Sequence, residues 1–592
     1  MFNKEFTFGT EIKKDTYYSP SQGYGIINFD NVEGDTMAKK ALLAGGWNLR
    51  ATDKGAWKTS YENTNSGVKI STPRHVLVFK SDVDEYGTYK ITLRVAPRDY
   101  DIKSMTIFAG RRNLIARGVE IKANSNYEIS FLTYATPYIP AITSEVLEDK
   151  AVYISVLGEN ATISSINIEK VSAKTIFIAG DSTLTDQNAL TPYYPIGSCC
   201  GWAQDLSAFV KNIAVCNYAH SGLTTNCFKD DGHWDILKSM IKPGDIFMIQ
   251  FGHNDQKRRN LAAFGGYYNN LKWYVARVRE LGAFPIICSP ISRVPFLDDG
   301  LYRSLLSAHA LACQKAAEEV GTPFIDLHTL TMNKWIEIGL ENISDYFIPG
   351  DITHTDDYGA KIIAEMVATN LSNIDETAEF IAKTSLEIFS PDSDTRELPT
   401  EPAPEKGMFD IVPPYVDMPG IKKYDSCADA FKKGLMDPCV MHIHPTEPMP
   451  RAQLLMIYLR ALRLNGERPY LGKYCDIAKY EWDSSYVQTC IRENLIDETA
   501  TENGYFRPDE PLTYGEFASF LIRGLEPDAH RRDVPMDLCF SKSKELGLID
   551  SDVNKDSIIP RQDVYSGLAI LMDLLDNSDK DMPSDAEIHP VG

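Results

Sequence analysis

The rhythm of apolar positions changes twice along the chain. From Phe6 to about Ile168, short segments carry apolar residues at alternate positions. Among them are Val76-Leu77-Val78-Phe79, Tyr89-Lys90-Ile91-Thr92-Leu93-Arg94-Val95 and Tyr127-Glu128-Ile129-Ser130-Phe131-Leu132. Turn formers separate them, as in Asp84-Glu85-Tyr86-Gly87. A period of two at this spacing belongs to half-buried antiparallel strands and predicts a β-sandwich over residues 1–172. From Lys174 the apolar runs become continuous: Ile176-Phe177-Ile178-Ala179, Ile246-Phe247-Met248-Ile249 and Phe284-Pro285-Ile286-Ile287-Cys288. Helical patterns fall between and after them, at 202–211, 268–282, 302–320 and 357–371. Strands buried on both faces and alternating with helices predict a doubly wound parallel α/β domain over 173–395.

The pattern then breaks. Pro399, Pro402, Pro404, Pro413, Pro414 and Pro419 mark residues 396–423 as an extended linker or wrapping segment. Residues 424–592 read as an α-helical repeat domain with a weak threefold recurrence. Gly434-Leu435-Met436, Asn494-Leu495-Ile496 and Gly547-Leu548-Ile549 each close a short helix. A Pro-containing loop follows each, then a longer apolar helix starting near Arg451, Tyr514 and Arg561. Such self-similarity signals stacked or pseudo-symmetric units.

Composition narrows the function classes. A formal charge of −22 argues against a broad basic footprint for nucleic acid or an anionic membrane. No apolar stretch approaches the ~18 residues needed to span a bilayer. Met1 to Thr7 shows no basic patch followed by an apolar core, so the localisation expected is cytoplasmic. The cell surface is the alternative. Eleven cysteines leave at least one thiol unpaired, and none shows paired CxxC zinc spacing. No cofactor and no metal are expected.

The chemistry gathers where the parallel strands end. Gly180-Asp181-Ser182-Thr183 follows the first of these strands, Asn217-Tyr218-Ala219-His220-Ser221-Gly222 another, and Gln250-Phe251-Gly252-His253-Asn254-Asp255 a third. Gly350-Asp351-Ile352-Thr353-His354 precedes the domain's last helix, which Asp357 or a neighbour would cap. Open α/β sheets place their sites at these ends. Ser182 as nucleophile needs a base, and His354 held by Asp351 three residues earlier supplies one. The oxyanion then needs fixed donors: the N–H groups of Ser182 and Gly222 and the side-chain amide of Asn254. His253, Arg293 and Trp202 are candidates for substrate contact. Trp47 and Trp57 are divided between sugar stacking and core, with at least one expected in the core.

Ser182, Gly222, Asn254 and His354 resemble the four named residues of the SGNH (GDSL) hydrolases. The resemblance is closer to the rhamnogalacturonan acetylesterase group, through Gly201-Trp202-Ala203-Gln204, Pro290-Ile291-Ser292-Arg293, Phe324-Ile325-Asp326-Leu327 and Asp351-Ile352-Thr353-His354-Thr355. It covers about Lys174 to Leu371 and implies a carbohydrate O-acetylesterase acting on acetylated oligosaccharides. One departure weakens a pectic substrate. That group commonly carries an arginine and serines after the glycine matching Gly222, whereas this chain has Leu223-Thr224-Thr225. Neutral hemicellulose fragments are then comparable candidates. The first segment resembles a galactose-binding-like β-domain. The last resembles degenerate S-layer homology modules, most clearly in Tyr505-Phe506-Arg507-Pro508-Asp509. Packing, homo-oligomerisation or shaping of the cleft is the favoured role for those modules. The rival functions are a lipase or thioesterase for longer acyl chains, and a non-catalytic carbohydrate- or wall-binding protein.

Overall fold

The structure is a computed structural model. It describes residues 2–9, 17–27, 44–49, 61–71, 74–137, 139, 146, 148–195, 198–295, 306–348, 351–382, 417–436, 443–464, 471–477, 483–496, 504–526 and 534–578. The chain forms two compact units, Met1–Val412 and Pro413–Gly592. Trp57 and the expected linker up to residue 416 lie outside the described residues.

In the first unit, twelve strands among the described residues precede the α/β region: β1 (Asn3–Thr7), β2 (Tyr24–Ile26), β3 (Trp47–Leu49), β4 (Tyr61–Thr64), β5 (Gly67–Ile70), β6 (Leu77–Asp82), β7 (Gly87–Val95), β8 (Thr106–Ala109), β9 (Asn113–Ala116), β10 (Tyr127–Ala135), β11 (Ala151–Leu157) and β12 (Thr162–Lys170). Two antiparallel sheets form, one ordered β10-β7-β12-β5-β4 with β1 on β12, the other β2-β6-β11-β8-β9. The alternating segments behave as their period demands. Tyr89, Ile91, Leu93 and Val95 of β7 are buried, while Lys90 between them is exposed. Each apolar side chain of that size contributes ~1.5–3 kcal/mol on burial.

Strand β11 departs from that rule, and the departure explains the architecture. All seven of its residues are buried. Val152, Ile154 and Val156 face the sandwich core. Ala151, Tyr153 and Leu157 join a second core that also holds Ile176, Ile178, Trp202, Ile246 and Ile363 of the α/β region. The boundary expected at residue 172 is therefore one in sequence, with a single apolar core running across it.

The α/β region has five parallel strands, β13 (Thr175–Gly180), β15 (Ala214–Asn217), β16 (Ile246–Gln250), β17 (Phe284–Cys288) and β18 (Phe324–Ile325), in the order β15-β13-β16-β17-β18. The short β14 (Ala189–Thr191) pairs instead with β3, in parallel. Helices α1 (Trp202–Asp205), α2 (Thr225–Asp230), α3 (His233–Met240), α4 (Tyr268–Glu280), α5 (Ser307–Val320), α6 (Leu327–Ile338) and α7 (Asp357–Leu371) accompany the sheet. α4 and α5 pack on one face, α6 and α7 on the other. The chain turns in opposite directions from β13 to β15 and from β15 to β16. The C-terminal end of β13 is thus the topological switch point, where such sheets open a crevice. Ser182 stands there. The helix expected over 202–211 is shorter: α1 gives way to a 3-10 turn at Leu206–Phe209.

The second unit holds α8 (Tyr424–Lys432), α9 (Arg451–Ala461), α10 (Ser484–Arg492), α11 (Tyr514–Leu525), α12 (Met536–Glu545) and α13 (Arg561–Ser578). Gly434, Asn494 and Gly547, with φ of 74°, 56° and 69°, end the three short helices. The left-handed backbone lets Leu435, Leu495 and Leu548 donate back to Ala430, Cys490 and Ser543. The three repeats of this unit close a ring. The first N–H groups of α9 donate to Glu510 and Pro508, those of α11 to Ser557 and Lys555, and those of α13 to Glu447 and Pro445. Each long helix thus has its orphan donors satisfied by the loop of the next unit.

Candidate active site

Residues 180–183 are shaped before any chemistry is considered. A Cβ on Gly180 would lie 2.8 Å from the Gln250 carbonyl oxygen, so the strand end admits only glycine. Asp181 is fully buried; its carboxylate accepts from the Thr183 N–H and hydroxyl at 3.1 and 2.8 Å and from the His253 N–H at 3.3 Å. Burial acts to raise the Asp181 carboxyl, but His253 and the Thr183 donors outweigh it and leave it lowered. The turn that presents Ser182 is thereby anchored to the end of β16.

Ser182 Oγ lies 2.8 Å from His354 Nε2, and His354 Nδ1 lies 2.7 Å from Asp351 Oδ2. The Asp351 Oδ1 atom accepts from the backbone N–H of Thr353 at 2.6 Å and of His354 at 3.1 Å. Burial opposes ionisation of Asp351; the imidazole and these two N–H groups outweigh it, holding the carboxyl well below the usual range. An ionised Asp351 fixes the tautomer with the proton on Nδ1 and leaves Nε2 free to accept from the serine hydroxyl. Asp356 caps α7 through the N–H groups of Tyr358 and Gly359 and ends the loop that carries His354.

The expected oxyanion donors lie at the ends of β13, β15 and β16. Gly222 is exposed with φ 83°, and neither its N–H nor that of Ser182 is taken up by another group among the described residues. The Asn254 Nδ2 donates to the Leu223 carbonyl at 3.1 Å, while Lys257 Nζ donates to Asn254 Oδ1 at 3.1 Å. Those two contacts fix which way the amide faces and leave one N–H unused. Lys257 carries no sequence signal, because a lysine after a strand reads as solvated surface.

Two expected substrate contacts are corrected. Trp202 is 0% exposed, and its indole N–H donates to Gln250 Oε1 at 2.9 Å. His253 is 1% exposed, with Nδ1 3.4 Å from Asp181 Oδ2, and burial leads in keeping its ring neutral. Both complete the core beneath the site. Arg293 is half-buried, and the Val294 N–H beside it donates to the Ile352 carbonyl at 2.8 Å, so its segment borders the 351–354 loop. Trp47 is buried and donates to Ser155 Oγ at 2.9 Å, which answers the question of sugar stacking in favour of packing.

Where an arginine was missing after Gly222, each residue has a structural duty. Leu223 is buried, Thr224 caps α2, and Thr225 donates to Asp255 at 2.6 Å. Cys200, Asp205 and Asp357 offer ligand atoms within 4.8 Å of one another, an arrangement with metal-ligand chemistry. However, Asp357 already accepts from Arg112 at 2.8 Å and Arg117 at 3.0 Å. Burial also pushes the Cys200 thiol up, so it stays protonated and donates to Gln204 Oε1 at 3.2 Å. The donor set is charge-matched by arginine and does not suit a cation. All ten described cysteines are free thiols.

The GDSL-like Lipase/Acylhydrolase family matches residues 178–362, and the S-layer homology domain matches residues 473–518. Rhamnogalacturonan acetylesterase RhgT of Bacillus subtilis is 30% identical over 213 residues, covering 34% of this chain and 90% of that protein. The uncharacterized esterase YxiM of the same organism is 28% identical over 283 residues, 46% of this chain and 71% of YxiM. The X-ray structure of the Bacillus subtilis YxiM protein aligns with 63% of this chain and 98% of its own at a TM-score of 0.34 and 20% identity. The RhgT match runs nearly the full length of that relative, and the family match spans the segment holding Ser182, Gly222, Asn254 and His354, so the chain belongs to the GDSL-like lipase/acylhydrolase family.

Proposed function

We propose that the protein is a serine esterase that removes O-acetyl groups from plant-polysaccharide fragments. The observation that carries this reading is the Ser182–His354–Asp351 relay, with its contacts of 2.8 and 2.7 Å. Ser182 Oγ attacks the acetyl carbonyl carbon while its proton passes to His354 Nε2. The oxyanion is met by the N–H groups of Ser182, Gly222 and Asn254. His354 then protonates the departing sugar oxygen, and the same base activates the water that releases acetate.

Two points support the substrate class. A relative 30% identical over 213 residues bears the name rhamnogalacturonan acetylesterase. Residues 223–225 offer no cation for an acidic sugar, which favours neutral acetylated oligosaccharides. The S-layer homology match supports association with the cell surface; no described helix is long and apolar enough to cross a membrane. The test is acetate release from acetylated xylan, mannan, xyloglucan and rhamnogalacturonan oligosaccharides, beside an acyl-length series on aryl esters. Acetate released fastest from a neutral oligosaccharide supports the reading. A preference for eight-carbon or longer acyl chains overturns it in favour of a lipase or thioesterase.

A further inference from the structure

The β8–β9 hairpin of the sandwich carries Arg112 into the α/β region. Arg112 is 0% exposed and has φ of 62°, a left-handed backbone uncommon outside glycine. Its guanidinium touches three separate segments. Nε donates to the Gln187 carbonyl at 3.2 Å, five residues beyond Ser182. Nη2 donates to the Cys199 carbonyl at 2.6 Å and to Gln204 Oε1 at 3.3 Å. Nη1 donates to both oxygens of Asp357, at 2.8 and 2.9 Å, at the start of the helix that follows His354.

Each segment leads on to the reacting groups. The Gln187 amide donates to the Ser182 carbonyl at 3.1 Å and to Ser221 Oγ at 3.2 Å, next to Gly222. Cys200 N–H donates to the Thr355 carbonyl at 3.0 Å, and Thr355 Oγ1 returns a bond to the Cys200 carbonyl at 2.9 Å, so the 199–200 strip is stitched to the residue after His354. Neighbouring contacts from the sandwich repeat the pattern. Asn113 donates to Asp186 at 2.7 Å, the Gly46 carbonyl accepts from Ala189 N–H at 2.9 Å, and Arg117 adds 3.0 Å to Asp357 and 2.9 Å to the Tyr193 hydroxyl.

We propose that Arg112 is a positioning residue for hydrolysis: it fixes the distance between the Ser182 turn and the His354 loop, making the N-terminal sandwich a working part of the esterase rather than an appended module. The proposal rests on the Ser182–His354–Asp351 reading given above. A planar fork with five donors suits this task, because a bidentate carboxylate contact and two carbonyl contacts can be made at once. A lysine has one ammonium and keeps only part of that set. Displacing a nucleophile from its base by ~1 Å costs up to 100-fold in rate.

The experiment uses the full chain with Arg112→Met and Arg112→Lys. Active sites are counted by labelling with a fluorophosphonate, and kcat and KM for an aryl acetate are expressed per labelled site. The expected result is a fall in kcat per site of ~10–100-fold for Met and ~3–10-fold for Lys, with KM within about twofold. A pin that only stabilises the fold would lower the number of labelled sites and leave turnover per site at the wild-type level; that result overturns the proposal while the serine mechanism stands. Arg112→Lys keeps a charge opposite Asp357, so it remains informative if the Met variant does not fold. A wild-type protein that neither labels at Ser182 nor hydrolyses the acetate would overturn both readings together.

Discussion

The regions on either side of the α/β domain in sequence satisfy their buried faces and helix ends in different ways. The sandwich leaves one face of β11 apolar and buries it in the core beneath the active-site sheet. Its hairpin adds arginines and an asparagine that bond to the segments following Ser182 and His354. The helical unit satisfies its own helix ends around a closed ring. Each region has a buried arginine facing a carboxylate, Arg112 with Asp357 and Arg451 with Glu516. Arg451 also donates to the Phe506 carbonyl at 2.8 Å, and its bonds join one repeat to the next. The lesson is that similar ion pairs have different reach. We expect the first pair, which joins the sandwich to the segments after Ser182 and His354, to bear on rate, and the second, which joins two repeats, to bear on the stability of the helical unit.

The largest effect expected away from Ser182 is at Asp351, which is hydrogen-bonded to His354. Asp351→Asn keeps the size but loses the charge that selects the His354 tautomer. We expect kcat to fall by about 10³–10⁴ with KM little changed, measured on an aryl acetate. The ring pair gives the contrasting case. Arg451→Ala leaves Glu516 short of a partner and should destabilise the second unit by roughly 3 kcal/mol in a denaturant titration. Turnover per labelled active site should stay at the wild-type level, and a loss of turnover would erase the contrast between the two regions.

Asn254→Ala removes one of the proposed oxyanion donors and should lower kcat by about 10²–10³, with ester binding preserved. The smallest effect concerns pH at the shared interface. Asp186 accepts from Asn113 of the sandwich and from Asn217 of β15, both at 2.7 Å, yet burial pushes its carboxyl up to about 6. Between the unfolded value of ~3.9 and about 6, the native state binds more protons than the unfolded one, so this group's contribution is full below ~4 and declines as pH rises to about 6. Asp186→Asn keeps an acceptor and abolishes the decline. Its stability relative to wild type should improve by ~1–3 kcal/mol between pH 4 and pH 7, read as a difference in unfolding midpoints. Parallel midpoints at all pH values would contradict the assignment.

What the sequence reveals follows from how far its signals reach. Period two and continuous apolar runs report which face of an element is buried, so β7, β13, β16, β17 and α7 were readable, as were the starts of α9, α11 and α13. The contact between Asp351 and His354 is readable because they lie three residues apart, and Ser182 follows the end of β13. Strand β18, two residues long, and the β3–β14 pairing leave no period to detect. Arg112 meets Asp357 across 245 residues of chain, and an arginine in a hairpin reads as solvated surface. Trp202 misled for the related reason that its partner, Gln250, lies on β16, 48 residues away; an indole N–H satisfied in the core looks the same in sequence as one facing a sugar.

The central claim is that Ser182 forms a covalent bond with the acyl carbon. Stoichiometric labelling with a fluorophosphonate, followed by peptide mapping beside acetate-release assays of wild type and Ser182→Ala, tests it directly. The expected result is one adduct, on Ser182, formed in step with loss of acetate release, and no release from the alanine variant. An adduct on another residue, or full acetate release by Ser182→Ala, would contradict it.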